Sequence, residues 1–444
     1  IIGLLIGMTF LTKAEVFFAI FTAMSSGMLL LAWTDRISVR RIFRTAALFL
    51  AGLFVPILIG VAALSCAMPV TRALAAVTLQ YQAVFTPIAS NVFYRTVLGI
   101  DAPAKNIAAM LSMVRWYAIV PSVLFLLCVV TNRLLRREWR MSFACAVTAV
   151  FFLAIPSFVR HLALFEIFRP LPLAMLVAAG YYFVCLRRGR TDERIVRRSL
   201  TMLVVTLFAF LLLLKMILSV RVYHYGFALA LPAVLTLGMM LIYEFPLLLG
   251  KRFKEVAFVR GLSVGFCALI LLMHVAASAK IYGFKNFAVG AGPDTLLTYD
   301  QRVSGAGPCL REAVGQIEKI VGKQDTLVVF PEGVMLNYLT RRRNPSPYIT
   351  FVPAELTMFG EDKMAEACDK ARPDCVVLVS RDMSEYGYAG FGNDYAMKLF
   401  AWLKTNYGQV AAIGDASLSG KGFGIIIAKR LVPSSGAVRT ATNN

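Results

Sequence analysis

The sequence predicts an α-helical polytopic membrane protein followed by a small extracytoplasmic α/β domain. Hydrophobic residues make up 59% of its 444 residues and charged residues only 16%, with a mean hydropathy of +0.70. A soluble domain is about 45–50% apolar and about 25% charged. Residues 1–279 carry 27 basic and 9 acidic side chains, whereas residues 280–444 carry 19 and 16. The net charge of +21 therefore lies mainly between apolar runs, which excludes a nucleic-acid partner held on a basic face.

Nine apolar runs predict about nine transmembrane helices, because each complete run is near the ~20 residues that a span requires. The runs lie at 1–12, 16–33, 45–64, 116–131, 141–157, 170–186, 200–220, 226–246 and 258–278. The first run is too short for a span, so we expect the sequence to begin inside a transmembrane helix. The predicted domains are a transmembrane part over 1–278, an outer α/β domain over 279–430 and a disordered tail over 431–444.

Lys and Arg residues in the short loops predict the orientation. Four strongly basic connections, at 36–44, 133–140, 187–198 and 251–260, alternate with the other loops and therefore share one side. We assign that side to the cytoplasm of an inner or plasma membrane. The C-terminal domain is then expected outside, in the periplasm or its equivalent.

Three cysteines of the outer domain, Cys309, Cys368 and Cys375, are candidates for a disulfide. An oxidising outer compartment permits one bond among them. Spacing alone does not choose the pair.

The outer loop at 65–115 is much longer than the others. It contains amphipathic segments at 70–84, 91–99 and 104–113, with Asp101 between the last two. Such a loop suits an interfacial cap over a cavity, and a passive surface loop is the alternative.

Basic and imidazole side chains concentrate in two short outer loops, opposed there only by Glu166. They are Arg160, His161 and Arg169 in one loop, and Lys215, Arg221 and His224, with Tyr223, at the end of the 200–220 run. Ionisable groups at membrane depth usually face a polar cavity, and Arg and Lys are natural phosphate ligands. The set therefore predicts a site for a lipid phosphate. The alternative for each cation is a side chain that simply reaches toward lipid headgroups.

Two segments resemble the GT-C glycosyltransferases, and most closely the branch of protein mannosyltransferases and aminoarabinose transferases. They are the glycine-rich span that ends in Leu11-Thr12-Lys13, and Arg221-Val222-Tyr223-His224-Tyr225 followed by Leu231-Pro232. Six spans after the long outer loop, and then an outer C-terminal domain, also resemble the layout of that branch. The resemblance covers roughly residues 1–280.

The resemblance implies an enzyme that moves a sugar from a polyprenyl-phosphate donor to an acceptor at the outer face, with inversion. It places Lys13 and Arg221 near the donor phosphate, with His224 nearby, where cations stabilise the charge of the leaving phosphate. The base of the family is an acid in the first outer loop, which we expect upstream of Ile1. Within the chain the remaining candidates are Glu15 and Asp101, and Glu15 is equally interpreted as a structural ion-pair partner.

The outer domain alternates helical and strand patterns. Helices are predicted at 309–321, 335–340, 363–370 and 394–406, and strands at 326–330, 375–380, 409–414 and 422–429. Loops that follow strands of α/β sheets often bind ligands, so Glu332, Asn337 and Arg343 are candidate acceptor contacts. A solvated charge run at 341–343 is the alternative.

The sequence indicates no cofactor other than the lipid-linked donor. It contains no Cys/His spacing typical of zinc and no phosphate-binding glycine loop, although a divalent metal stays open.

Two other classes of function stay open. A transporter or flippase for a lipid-linked or anionic substrate would share the outer cations, but it predicts internal repeats and broken helices, and no clear repeat is seen. A non-catalytic scaffold that presents the α/β domain would require neither Lys215 nor the Arg221–His224 cluster.

Overall fold

The structure, a computed structural model, describes residues 1–34, 38–82, 91–134, 136–139, 142–143, 146–147, 149–150, 164–189, 191–253, 256–418 and 422–431. It divides into two compact units. The first holds the described residues up to Val275 apart from 91–93, and the second holds Ala276 onward together with 91–93. Most of the run at 141–157, the candidates Arg160 and His161, and nearly all of the tail lie outside the described residues.

The first unit is built from helices. They are α1 (Ile2–Phe10), α2 (Ala14–Thr34), α3 (Val39–Ser65), α4 (Val70–Gln82), α5 (Val92–Leu98), α6 (Pro103–Val129), α7 (Leu171–Arg188), α8 (Glu193–Leu213), α9 (Leu231–Met239), α10 (Phe245–Gly250) and α11 (Ala257–Gly283). A π-helical turn at Met240–Glu244 joins α9 to α10.

Seven helical stretches of the described chain are long and apolar enough to cross a membrane. They are Ala14–Thr34, Arg40–Ser65, Val92–Arg133, Leu171–Arg188, Glu193–Met216, Phe227–Gly250 and Ala257–Gly283. These stretches coincide with seven of the nine apolar runs. The prediction of a helical membrane part is therefore confirmed, with seven of the predicted spans present among the described residues. The first run forms only the nine-residue helix α1.

Two sequence-based boundaries are wrong. The segment 104–113 is not a separate loop element, because α6 runs without a break from Pro103 to Val129. The run 200–220 is not one helix: α8 ends at Leu213, and a 3-10 turn at Leu214–Met216 follows. Lys215 therefore lies in the 3-10 turn that ends the helical stretch Glu193–Met216.

Glycines allow α1 to pack closely on α3. A Cβ atom at Gly3 would lie 2.2 Å from the carbonyl oxygen of Phe49, and one at Gly7 would lie 2.2 Å from that of Leu53. Small residues of this kind let membrane helices approach each other at the backbone. The glycine-rich span before Lys13 thus has a packing role.

The second unit is a small α/β domain. Its elements are β1 (Phe287–Val289), β2 (Leu296–Thr298), α12 (Ala306–Ile320), β3 (Leu327–Phe330), α13 (Val334–Thr340), α14 (Pro353–Phe359), α15 (Glu361–Ala371), β4 (Cys375–Ser380), α16 (Met397–Asn406), β5 (Tyr407–Gly414) and β6 (Gly424–Arg430). The main sheet has the order β3-β4-β6-β5, with β3 parallel to β4 and the other pairs antiparallel. Each predicted helix and strand is present, whereas the β1-β2 hairpin and α14 were not predicted.

The two faces of this sheet bury separate cores. Phe330 and Leu378 belong to one core, and Leu327 and Val377 belong to the other, as the alternation of side chains along a strand requires. Continuous burial of β3 and β4 explains why both strands read as unbroken apolar runs.

The cysteines of the second unit are buried free thiols. Cys368 lies in the core on one face of the sheet, and Cys309 and Cys375 lie in the core on the other. Burial raises the pKa of Cys368 and of Cys375 to about 12. No disulfide links any cysteine of the described residues, so these three side chains act as small hydrophobic groups there.

Candidate functional site

Helix α4 holds the tight turn that carries Lys13. The side chains of Gln80 and Tyr81 both donate to the carbonyl oxygen of Phe10, at 2.8 and 2.9 Å, and Gln80 accepts from the N–H of Ala14 at 3.2 Å. The Tyr81 ring also stacks on Phe10 with 4.3 Å between centroids. Lys13 itself is exposed, and its ammonium forms no hydrogen bond or ion pair with the described residues.

Lys215 forms an ion pair with Glu15, which lies two residues after Lys13. The side chains of Lys215 and Glu15 are 19% and 33% exposed, so the pair is largely shielded from solvent. The Lys215 ammonium also lies 5.5 Å from the ring centroid of Tyr225. The pair therefore brings the 11–13 turn to the 221–225 segment.

Arg169 is the buried centre of a second polar group. It is 6% exposed, forms an ion pair with Glu166, and donates to the carbonyl oxygen of Leu218 at 3.2 Å and to Asn106 Oδ1 at 3.3 Å. Asn106 in turn donates to the exposed carboxylate of Asp101 at 3.4 Å. The buried guanidinium thus connects three segments that are distant in sequence: its own loop, the 217–226 segment and the start of α6.

Tyr223 extends this group to Arg221. Its hydroxyl donates to Glu166 Oε1 at 2.6 Å and accepts from Arg221 Nη1 at 3.0 Å. The Arg221 guanidinium lies 4.9 Å from the Tyr223 ring centroid, and its Nε is buried without a hydrogen-bond partner among the described residues. Arg221 is therefore oriented by an aromatic ring and a hydroxyl, and its charge is not neutralised by a carboxylate of the described chain.

His224 holds the 217–226 segment against α5. Its Nδ1 accepts from the N–H of Gly226 at 3.0 Å, so Nε2 carries the proton and donates to the carbonyl oxygen of Val97 at 3.1 Å. Burial, together with the positive charges of Arg221 and Lys215, lowers the pKa of His224. Both ring nitrogens are thus engaged with the backbone, and His224 positions the loop rather than offering a proton to an anion.

Gly99 allows the close approach of the same two segments. Its φ is +79°, and a Cβ atom there would lie 2.8 Å from the carbonyl carbon and 2.9 Å from the Cβ of Leu218. The N–H of Leu218 donates to the carbonyl oxygen of Leu98 at 3.1 Å. A side chain at position 99 would separate the loops.

The predicted outer-loop residues therefore come together wherever the structure describes them. They are Glu15, Lys215, Arg169, Arg221, Tyr223, His224 and, through Asn106, Asp101. Arg169 and Lys215 each have a carboxylate partner. Among the described residues of the predicted set, Lys13 and Arg221 are the cations without one.

The candidate acceptor contacts of the second unit have structural partners. Glu332 forms an ion pair with Arg381. The Asn337 amide donates to the carbonyl oxygens of Leu327 and Arg342, at 2.7 and 3.0 Å, and so closes the loop after α13. Arg343 is exposed.

The alternative of a solvated charge run at 341–343 holds for Arg341 and Arg343, which are both exposed, and is wrong for Arg342. Arg341 forms an ion pair with Asp294. Arg342 is buried, and its guanidinium donates to the carbonyl oxygens of Thr340 and Val321.

Sequence reasoning missed Asn106, Tyr225 and the pair of Arg198 with Glu244. Glu244 is 4% exposed and lies 2.6 Å from the Arg198 guanidinium. An acidic residue at the end of an apolar run is a signal that could have found it. No sequence signal marks Asn106, because its partner Arg169 lies 63 residues further along the chain.

Within the described residues, no group of three or more His, Cys, Asp or Glu side chains is placed to hold a metal ion. Comparison with known proteins finds no matching family model, no matching curated protein and no matching solved structure. Fold and composition define the class: a mostly helical membrane protein with a small C-terminal sheet domain.

Proposed function

We propose that the protein is a membrane glycosyltransferase that takes a sugar from a polyprenyl-phosphate donor and passes it to an acceptor at the outer face. The observation that carries the proposal is the Glu15–Lys215 ion pair. It joins the two segments that resemble GT-C glycosyltransferases, although Glu15 and Lys215 are 200 positions apart. The proposal includes about nine membrane helices and a C-terminal domain on the outer side.

The distribution of charge supports a phosphate site at Lys13 and Arg221. Arg169 and Lys215 are neutralised by acids, so they fix the loops rather than attract an anion. Arg221 is held in place by Tyr223 before any ligand arrives. Preorganised cations of this kind stabilise charge that develops on a leaving phosphate.

The proposed reaction needs a carboxylate as its catalytic base, and neither acid of the candidate set fits that role. Glu15 is engaged with Lys215, which lowers its availability as a base. Asp101 is exposed, and its carboxylate accepts a hydrogen bond from Asn106. The reaction is then a single displacement: the acceptor oxygen attacks the anomeric carbon, its proton passes to the carboxylate base, and the bond to the lipid phosphate breaks.

The test is sugar transfer by the full-length protein in liposomes, with polyprenyl-phosphate mannose and polyprenyl-phosphate aminoarabinose as donors and membrane extract as acceptor. Release of polyprenyl phosphate is measured by mass spectrometry. Arg221→Ala should lower the release at least about 100-fold, as losing a transition-state contact does. Arg72→Ala is the matched control, because Arg72 is exposed on α4, and it should leave the release unchanged.

Two results would contradict the proposal. One is release by Arg221→Ala at the rate of the unaltered protein. The other is passage of intact donor across the bilayer without release, which would favour a transporter.

A further inference from the structure

A second polar site lies at the opposite end of the helical unit from Lys13 and Arg221. Arg198 begins the second turn of α8, and Lys215 follows the end of the same helix. At 1.5 Å of rise per residue the two side chains start about 25 Å apart, close to the ~30 Å of a bilayer core. Nothing in the proposed sugar transfer uses this second site.

A cavity of 430 Å³ occupies this end of the unit. Its polar lining includes Tyr181, Arg198, Glu244, Lys251 and Arg260. That volume is within the range of small-molecule sites and can hold a headgroup.

Glu244 supplies an unsatisfied acceptor. The residue is 4% exposed; its Oε2 lies 2.6 Å from Arg198 Nη2, and its Oε1 is buried without a hydrogen-bond partner among the described residues. The buried Tyr182 hydroxyl is a neighbouring donor to the same carboxylate. A carboxylate oxygen accepts more than one hydrogen bond, so Oε1 can take a further donor from a ligand.

The backbone explains how a carboxylate reaches this position. The π-helical turn Met240–Glu244 places Glu244 directly before α10, which has Pro246 in its first turn. Such π-helical turns are frequent at functional sites.

The cations make the cavity attractive to an anion. Lys251 and Arg260 are exposed, and neither forms an ion pair with the described residues. The guanidinium groups of Arg198 and Arg260 lie 5.1 and 5.8 Å from the ring centroid of Tyr243. Three described cations thus face a single described carboxylate.

We propose that this cavity binds a phosphate ester that also carries a hydroxyl or ammonium donor, the chemistry of a phospholipid headgroup. Lys251 and Arg260 hold the phosphate, Arg198 stays paired with Glu244, and the donor group binds Glu244 Oε1. Cations bind phosphate by charge-assisted hydrogen bonds.

The test is native mass spectrometry of the full-length protein in detergent, titrated separately with phosphatidylglycerol, phosphatidylcholine and glycerol 3-phosphate. Phosphatidylcholine carries the phosphate without a donor. We expect phosphatidylglycerol to bind at least about tenfold more tightly than phosphatidylcholine. The double variant Lys251→Gln/Arg260→Gln should weaken that binding at least about tenfold, because it removes the charge-assisted hydrogen bonds of both side chains to the phosphate.

The matched control is Arg187→Gln/Arg188→Gln, which removes the same charge from exposed positions at the end of α7 that do not line the cavity. It should bind phosphatidylglycerol like the unaltered protein. Glycerol 3-phosphate is expected to bind saturably if the ligand is a soluble phosphate ester rather than a lipid. In that case the variant Lys251→Gln/Arg260→Gln should lose the binding. Two results would overturn the proposal. One is that neither phosphatidylglycerol nor glycerol 3-phosphate binds. The other is that Lys251→Gln/Arg260→Gln and Arg187→Gln/Arg188→Gln bind both of these probes equally.

Discussion

The Lys215 ammonium forms an ion pair with the Glu15 carboxylate, which lies 200 positions earlier in the chain. The pair connects the start of α2 to the end of α8, and Tyr225 covers the ammonium. It therefore fixes the turn of Lys13 beside the segment of Arg221. The account of the proposed phosphate site depends on this connection.

The first prediction concerns this ion pair. Glu15→Gln and Lys215→Met should each lower the melting temperature in detergent, because each leaves a shielded charge without its partner. The double variant should recover part of the loss, with a coupling energy of about 1–3 kcal/mol. Strictly additive losses would show that the two side chains do not interact.

The second prediction concerns the approach of the loops at Gly99. Gly99→Ala should destabilise the protein by about 1–3 kcal/mol, since alanine is strained at φ +79° and its Cβ would meet Leu218. Gly180→Ala is the matched control, because a Cβ atom there meets nothing within 4 Å. Thermal melting checks both variants, and equal melting temperatures would contradict the described contact.

The third prediction concerns pH and His224, whose folded pKa lies below the free value of 6.5. Above about pH 6.5 the imidazole is neutral in both states. As the pH falls below 6.5, the unfolded chain takes up a proton that the folded chain resists, so stability falls until the lower folded pKa is reached.

The measurement for His224 is the melting temperature between pH 7.5 and 5. The unaltered protein should lose more stability on acidification than His224→Gln, which cannot titrate. Parallel curves for the two proteins would contradict the assignment of a neutral, backbone-bonded imidazole.

The fourth prediction concerns orientation. In a Cys66→Ser background, a membrane-impermeant maleimide should label Lys323→Cys in intact cells, because Lys323 is exposed in the unit proposed to lie outside. Arg188→Cys, at the opposite end of α7 from the outer loops, should be labelled only after permeabilisation. The reverse pattern would invert the proposed topology.

Local patterns predicted most of the elements. The strand Cys375–Ser380 is present with the predicted ends, because both faces of it are buried and the apolar run is unbroken. Helix α14 was missed although Pro353 at its start and Gly360 after its end are ordinary helix signals. The short strands β1 and β2 hold three residues each, too few for a pattern to show.

The site was predicted as a set of residues but not as a set of contacts. The candidate cations could be found because ionisable residues near apolar runs are conspicuous. Their partners could not, since Glu15 is 200 positions from Lys215 and Asn106 is 63 positions from Arg169. Only the packed helices decide which cations are neutralised, and hence that Lys13 and Arg221 are left without a carboxylate partner among the described residues.

Equilibrium binding of polyprenyl phosphate to the full-length protein, followed by native mass spectrometry, tests the central claim most directly. The account predicts that Arg221→Gln and Lys13→Gln each weaken binding at least about tenfold, the equivalent of about 1.4 kcal/mol, while Arg72→Gln binds like the unaltered protein. Equal affinity of all four proteins would contradict a lipid-phosphate site at Lys13 and Arg221.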